Sequence, residues 1–220
     1  MSQVQELQCH PSTFATQPNH SRHPFELVIA DYLSLPTSKG GWHTVLLLLD
    51  TYSQHVWAFK FKTHGTGKTT VSSLDQLHHN FRIPETFMTD GGKHFNNNEV
   101  RAWCDNNNVD YQVAAAYSPW VNGLVKNANK LFLRHLKCAC APDLGEDNYV
   151  DVKAEDIPRS WPDHFEKATL DLNWRILPAF KFAPHKLLMG YVVNTHNTPT
   201  SISTTDLTPS DVNIYMAYVD

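Results

Sequence analysis

Blocks of apolar residues along the chain switch between two periods. Residues 25–33 (FELVIADYL) predict a strand ending near Pro36, and the TSKGG that follows is a turn in which Gly40 and Gly41 supply backbone freedom. Residues 42–50 (WHTVLLLLD) are apolar almost throughout, as in a central strand buried on both faces. Residues 55–62 (HVWAFKFK) alternate, with Lys60 and Lys62 on one face and Phe59 and Phe61 on the other. Three strands with short links predict an antiparallel meander. Helical spacing then takes over at Val71, Leu74, Leu77 and Phe81, and stops before Pro84. Residues 85–90 (ETFMTD) predict a short strand, residues 97–107 a helix packing Val100, Trp103 and Cys104, and residues 110–117 (DYQVAAAY) a last strand. Residues 117–137 (YSPWVNGLVKNANKLFLRHLK) read as a strand end, a tight Ser-Pro turn and a helix opened by Asn122. Residues 162–177 predict an amphipathic helix carrying Phe165, Leu172, Trp174 and Ile176. The order predicts an α/β fold: a mixed five-stranded sheet, meander plus crossover helices, with helices on both faces.

Composition adds bounds. The 220 residues suit one domain with appendages, and the 41% apolar content is ordinary for a globular chain. No run approaches the roughly 18 apolar residues of a membrane helix, and no signal peptide is visible at the N-terminus. Cys9, Cys104, Cys138 and Cys140 are scattered, which fits a reducing compartment better than a disulfide framework. Cys138-Ala139-Cys140 is too short to be a zinc site alone. An intracellular place, nuclear or cytoplasmic, is expected. Residues 1–23 read as a flexible arm, residues 24–190 as the domain with an acidic loop at 141–160, and residues 191–220 as a weakly ordered tail. Within the arm, Cys9, His10, His20 and His23 repeat no metal-ligand spacing. The net charge of −4 argues against nucleic acid until it is placed. Six acidic residues and the single Lys153 lie between Asp143 and Asp156; without them 17 basic residues face 16 acidic ones.

Two motifs compete for the chemistry. Gly65-Thr66-Gly67-Lys68-Thr69 imitates a phosphate-binding loop, but position 62 holds Lys62 where that motif needs glycine, so a polar helix start is the better reading. Asp31 and Asp90 each fall where a strand gives way to a loop, and sites in open α/β sheets collect at the strands' carboxyl ends. Taken singly, such an Asp is most often a cap or turn residue. The context of Asp90, TDGGKHF, and the helix after Tyr117 raise this pair above that.

The strings LVIADYLSLPTSKGGWHTVLLLLDTYSQHVWAF, FRIPETFMTDGGKHFNNNEVRAWCDNNNV, YSPWVNGLVKNANKLFLRHL and LNWRILPAFKFAPHKLLMG resemble, in order, the integrase catalytic core of gypsy-class LTR retrotransposons. The resemblance covers residues 24–190 and implies a ribonuclease-H-like fold and descent from a DNA strand-transfer enzyme. It implies an Asp, Asp, Glu triad with 35 residues between the last two, and 35 residues separate Asp90 from Lys126. Lys126 thus takes the glutamate position, and no Glu occurs between Glu99 and Glu146. Ser118, Trp120 and Val121 also depart from the family's polar turn. By the same resemblance Mg²⁺ or Mn²⁺ is the implied cofactor: Asp31 bridges two ions, and Asp90 and the missing Glu hold one each. Two ions about 3.5–4 Å apart clamp the attacking and leaving oxygens in such chemistry, and each needs hard oxygen ligands. An ammonium 4 Å from a carboxylate gains about 4 kcal/mol at an effective dielectric of 20, so Lys126 is expected to pair with Asp31 and Asp90 and stand in for the metal charge. Metal binding by Asp31 and Asp90 is then weak, and the site is catalytically dead.

Lys126, Lys130, Arg134 and Lys137, spaced 4, 4 and 3, form one stripe expected to contact DNA weakly and in a salt-dependent way; an ordinary solvated face is the alternative. Trp120 stacks on a base or fills a pocket. A homodimer is expected by resemblance, and no membrane partner. Two other readings remain: a working core using Asp31 and Asp90 with Asp50 or His94 as a further ligand, and a protein-interaction module without nucleic acid.

Overall fold

A computed structural model describes residues 21–114, 119–143 and 151–190, with only the backbone of residues 119–122. Most of the N-terminal arm, with Cys9, His10 and His20, the C-terminal tail and the middle of the acidic loop lie outside the described residues. So do Ser118 and the side chains of Trp120, Val121 and Asn122.

Three strands form the expected meander: β1 (Leu27–Ser34), β2 (Thr44–Asp50) and β3 (Val56–Phe61), paired antiparallel. After helix α1 (Gly67–Asn80), strand β4 (Thr86–Thr89) returns parallel to β1. Helix α2 (Asn98–Asn106) then delivers β5 (Asp110–Val113) parallel to β4, giving the order β3-β2-β1-β4-β5. Long α3 (Pro119–Cys140), α4 (Trp161–Trp174) and short α5 (Pro184–Met189) complete the described α-helices, with a 3-10 turn at Ala154–Asp156 between α3 and α4.

Period-two alternation sorts the side chains between two cores. Val28, Ala30, Leu46, Leu48 and Phe87 face α1 and α2, meeting Leu74, Leu77, Val100 and Trp103. Val45, Leu47 and Leu49 face the other way, against Phe132 and Leu136 of α3 and Trp161, Phe165 and Leu172 of α4. Every residue of β2 is buried, as its unbroken apolar run requires. Burying each large side chain here contributes about 1.5–3 kcal/mol, and α3 and α4 interlock through the edge-on pair Phe132–Phe165, 5.8 Å between ring centres.

Two boundaries differ from the sequence reading. Strand β1 continues to Ser34 because Tyr32, Leu33 and Ser34 still pair with Leu46, Val45 and Thr44; Asp31 therefore lies inside a strand. Helix α3 starts at Pro119, three residues before Asn122; proline suits a first helical position, where its missing N–H would have no intrahelical partner. At the false phosphate loop, Thr66 caps α1 and exchanges hydrogen bonds with Thr69. A Cβ on Gly67 would come within 2.5 Å of Asn97 Oδ1, so close packing against the α2 cap explains that glycine. The acidic segment is not wholly a solvated loop, since Val152 and Ile157 near its end are buried in the α3–α4 core.

One buried side chain ties the backbone of edge strand β3 to α4. Asn173 Oδ1 accepts the Val56 N–H at 2.8 Å and its Nδ2 donates to the Val56 carbonyl at 2.7 Å, both buried. Asn173→Ala leaves two buried backbone groups unpaired, at about 1–3 kcal/mol each. The variant is expected to unfold at clearly lower urea; an unchanged midpoint contradicts the tie.

Candidate active site

The topology brings the two aspartates together. Parallel pairing of β1 with β4 ends at Ala30↔Thr89, so Asp31 and Asp90 are the next residues on neighbouring strands, which run about 4.8 Å apart. Both continue the face of Ile29 and Met88, which packs against Val125 of α3. Asp31 is thus mid-strand toward β2 but at the point where β1 parts from β4.

Local chemistry fixes each carboxylate. Asp31 Oδ1 accepts its neighbour Tyr32's N–H at 2.8 Å, and Oδ2 accepts from Asn129 Nδ2 of α3 at 2.6 Å. Burial raises the Asp31 carboxyl above its ordinary value, against those two hydrogen bonds; the Asp90 charge raises it further and His94 lowers it. Asp90 is exposed, and its Oδ1 accepts the Gly92 N–H at 2.9 Å. The Gly91-Gly92 pair allows this turn. Gly91 has φ +79°, and a Cβ on Gly92 would sit 2.7 Å from His94 Cε1 and 3.2 Å from Asp90 Oδ1. His94 stacks edge-on against Tyr32, 4.8 Å between centres, with its Nε2 buried and without a hydrogen-bond partner among the described residues.

The residue from α3 at this site is Asn129, which the sequence reading passed over. Lys126 is exposed, and no ion pair among the described residues includes it. The expected pairing of Lys126 with Asp31 and Asp90 is therefore corrected. The reason is helical phase: Val125, Ala128, Asn129, Phe132 and Leu136 form the buried stripe, and Lys126 falls outside it. Asn129 is 8% exposed, and its position within that apolar stripe was the legible signal. Lys126, Lys130 and Arg134 are exposed and Lys137 half-buried, so the basic stripe lies on the face turned from the core.

Of the two further ligands considered, only His94 is nearby. Asp50 pairs with Val28, three positions along β1 from Asp31, and is fully buried. It accepts hydrogen bonds from the Phe25 and Ser53 N–H groups and the Ser53 hydroxyl, so it is a structural knot.

A mixed five-stranded sheet of this order, with helices packed on it, is the fold of integrase catalytic cores of the ribonuclease-H-like class. Residues 21–119, just under half of the chain, match the integrase core domain family. The chain is 28% identical over 180 residues to the Pro-Pol polyprotein of simian foamy virus type 3 (strain LK3), covering 81% of this chain and 14% of that polyprotein. It thus spans about one seventh of that relative's length. Among solved structures it is similar to the intasome of simian T-cell lymphotropic virus in complex with the PP2A regulatory subunit B56 gamma. There the TM-score is 0.60 at 18% identity, over 87% of this chain and 63% of that one. The HTLV-2 integrase catalytic core domain in complex with magnesium gives a TM-score of 0.55 at 19% identity, over 76% and 99%.

The donor set here does not fit a pair of such ions. Among the described residues no group of three or more Asp, Glu, His or Cys side chains is placed to hold a metal. Both Asp31 oxygens accept hydrogen bonds from protein N–H groups, and the side chain that α3 brings to Asp31 is an amide, Asn129. Mg²⁺ is commonly held by one or two carboxylates with water and phosphate oxygens, so Asp31 and Asp90 supply donors for one ion at most and leave none for a second.

The raised Asp31 carboxyl has a consequence for stability. Between its ordinary value, 3.8, and the higher folded-state value, the folded chain holds a proton that the unfolded chain has released. The charge on Asp31 therefore lowers stability above that window, and the penalty vanishes below it. Asp31→Asn keeps an acceptor for the Tyr32 N–H, and Asn129 Oδ1, which has no hydrogen-bond partner among the described residues, can accept from the new amide once the Asn129 amide turns over. The variant is expected to unfold at higher urea than the native chain at pH 7, with the gap closing toward pH 4; identical midpoints at pH 7 contradict the burial argument.

Proposed function

We propose that this chain is a gypsy-class, retrotransposon-derived integrase core that has kept the fold and an affinity for DNA but not strand transfer. The observation that carries this reading is the junction of α3 with β1, where a neutral amide, Asn129, meets Asp31. Lys126, at the spacing where the resemblance implies glutamate, brings a positive charge to the same helix. Without a third acid the developing negative charge of phosphoryl transfer has no metal pair to meet it. The intasome among the similar structures supports assembly on DNA and, with it, a homodimer of this chain. In a strand-transfer assay with labelled DNA ends and Mg²⁺ or Mn²⁺, the native chain is expected to be inactive. Magnesium-dependent joining that disappears in Asp31→Asn or Asp90→Asn overturns the reading. Lys126→Glu is the informative comparison: restored activity would identify position 126 as the point of loss.

DNA affinity is assigned to the exposed stripe on α3. Each phosphate neutralised contributes about 0.9 to the slope of log K against log salt. Lys130→Glu/Arg134→Glu is expected to weaken binding of a labelled duplex and flatten that slope by nearly two, measured by fluorescence anisotropy. Unchanged binding means an ordinary solvated face.

A further inference from the structure

A second cationic feature lies away from the aspartates. The tip of the β1–β2 hairpin and the start of α4 enclose a cleft of about 290 Å³, lined by Ser38, Lys39, Trp42, Arg159, Ser160 and Asp163 among others. Its walls are braced. Trp161, fully buried, donates its Nε1–H to the Pro36 carbonyl at 3.0 Å, and Lys60 Nζ donates to the Pro162 carbonyl at 3.3 Å. Lys60 and Lys62 hold their ammonium groups 5.8 and 5.0 Å from the centre of the Trp42 ring. Lys39 and Arg159 are exposed and enter no ion pair among the described residues. Ser38, 7% exposed, accepts the Trp42 N–H at 3.1 Å, and no acceptor among the described residues takes its own hydroxyl proton.

The charge here is one-sided. Lys39, Lys60, Lys62 and Arg159 face two carboxylates, Asp163 in the lining and Glu166, which lies 3.5 Å from Lys60. We propose that this cleft is a phosphate-binding subsite that takes a phosphodiester group of a nucleic acid backbone. Arginine's planar fork and free hydroxyl protons match phosphate oxygens. A lone nucleotide fits less well, because the Trp42 ring on which its base would stack already carries lysine ammoniums. The row from Lys39 to Lys60 and Lys62 along the edge strand suits an extended polyanion instead. The subsite is separate from the α3 stripe, and its assignment does not rest on that stripe.

The test compares duplex binding across a salt series for the full native chain, Lys39→Glu/Arg159→Glu and Lys130→Glu/Arg134→Glu, with circular dichroism confirming that each is folded. The cleft variant is expected to bind about ten-fold more weakly at low salt and to lose nearly two from the salt slope. If the cleft variant binds as the native chain does, this proposal is overturned while the α3 reading stands. Should the cleft variant weaken and the α3 variant bind normally, the α3 reading falls and the cleft remains. No binding by the native chain overturns both. Tripolyphosphate is the remaining arm: competition with the duplex in the native chain, absent from the cleft variant, supports the subsite. Tripolyphosphate bound at the cleft by a chain whose duplex affinity ignores Lys39 and Arg159 would overturn the nucleic acid assignment.

Discussion

One hydrogen bond joins the two halves of the candidate site: Asn129 Nδ2 to Asp31 Oδ2, 2.6 Å long, reaching from α3 to the middle of β1. The bond works in two directions. It satisfies a carboxylate that burial would otherwise leave poorly solvated, and it sets the position of α3 on the sheet. Hydrogen bonds to a charged group are about twice as strong as neutral ones, so this contact outweighs most surface charge pairs, whose median is about 0–1 kcal/mol. Val125 and Phe132 flank it on the same buried stripe, and the polar contact is embedded in apolar packing.

The other constraints converge on that point. Parallel return of β4 sets Asp90 beside Asp31, Gly91 and Gly92 let the chain turn there, and His94 packs against Tyr32 from the α1 face. The neighbourhood is built like a site: a half-buried carboxylate, an exposed one, and an imidazole nitrogen with no partner among the described residues. What α3 adds to it is an amide and, outside the buried stripe, an ammonium. The geometry therefore combines the fold of integrase catalytic cores with a pair of carboxylates that α3 meets through an amide.

Much of this was legible in the residues. The unbroken apolar run of β2, the alternation in β3 and the glycine pair after Asp90 predicted the sheet and one half of the site. Register carried the rest. Asp31 reads as a strand end because it closes the apolar run of residues 27–30 and Pro36 follows, yet cross-strand pairs with β2 extend the strand to Ser34. Helical phase misled in a similar way. Counting 35 residues from Asp90 lands on Lys126, whereas contact with Asp31 depends on which face of α3 is buried, and that face carries Asn129. Asp50 failed as a ligand because a local turn to Ser53 and a distant bond from the Phe25 N–H hold it beside Val28, three positions along β1 from Asp31; only the Ser53 contact lies within reach of a local pattern.

Affinity for divalent ions reads the donor set at Asp31 and Asp90 most directly. Calorimetric titration of the native chain with Mg²⁺ and then Mn²⁺, alongside Lys126→Glu, reads the donor set without requiring turnover. The structure predicts no two-ion binding in the native chain at millimolar metal. Two ions bound tightly by the native chain, with binding lost in Asp31→Asn, would contradict it.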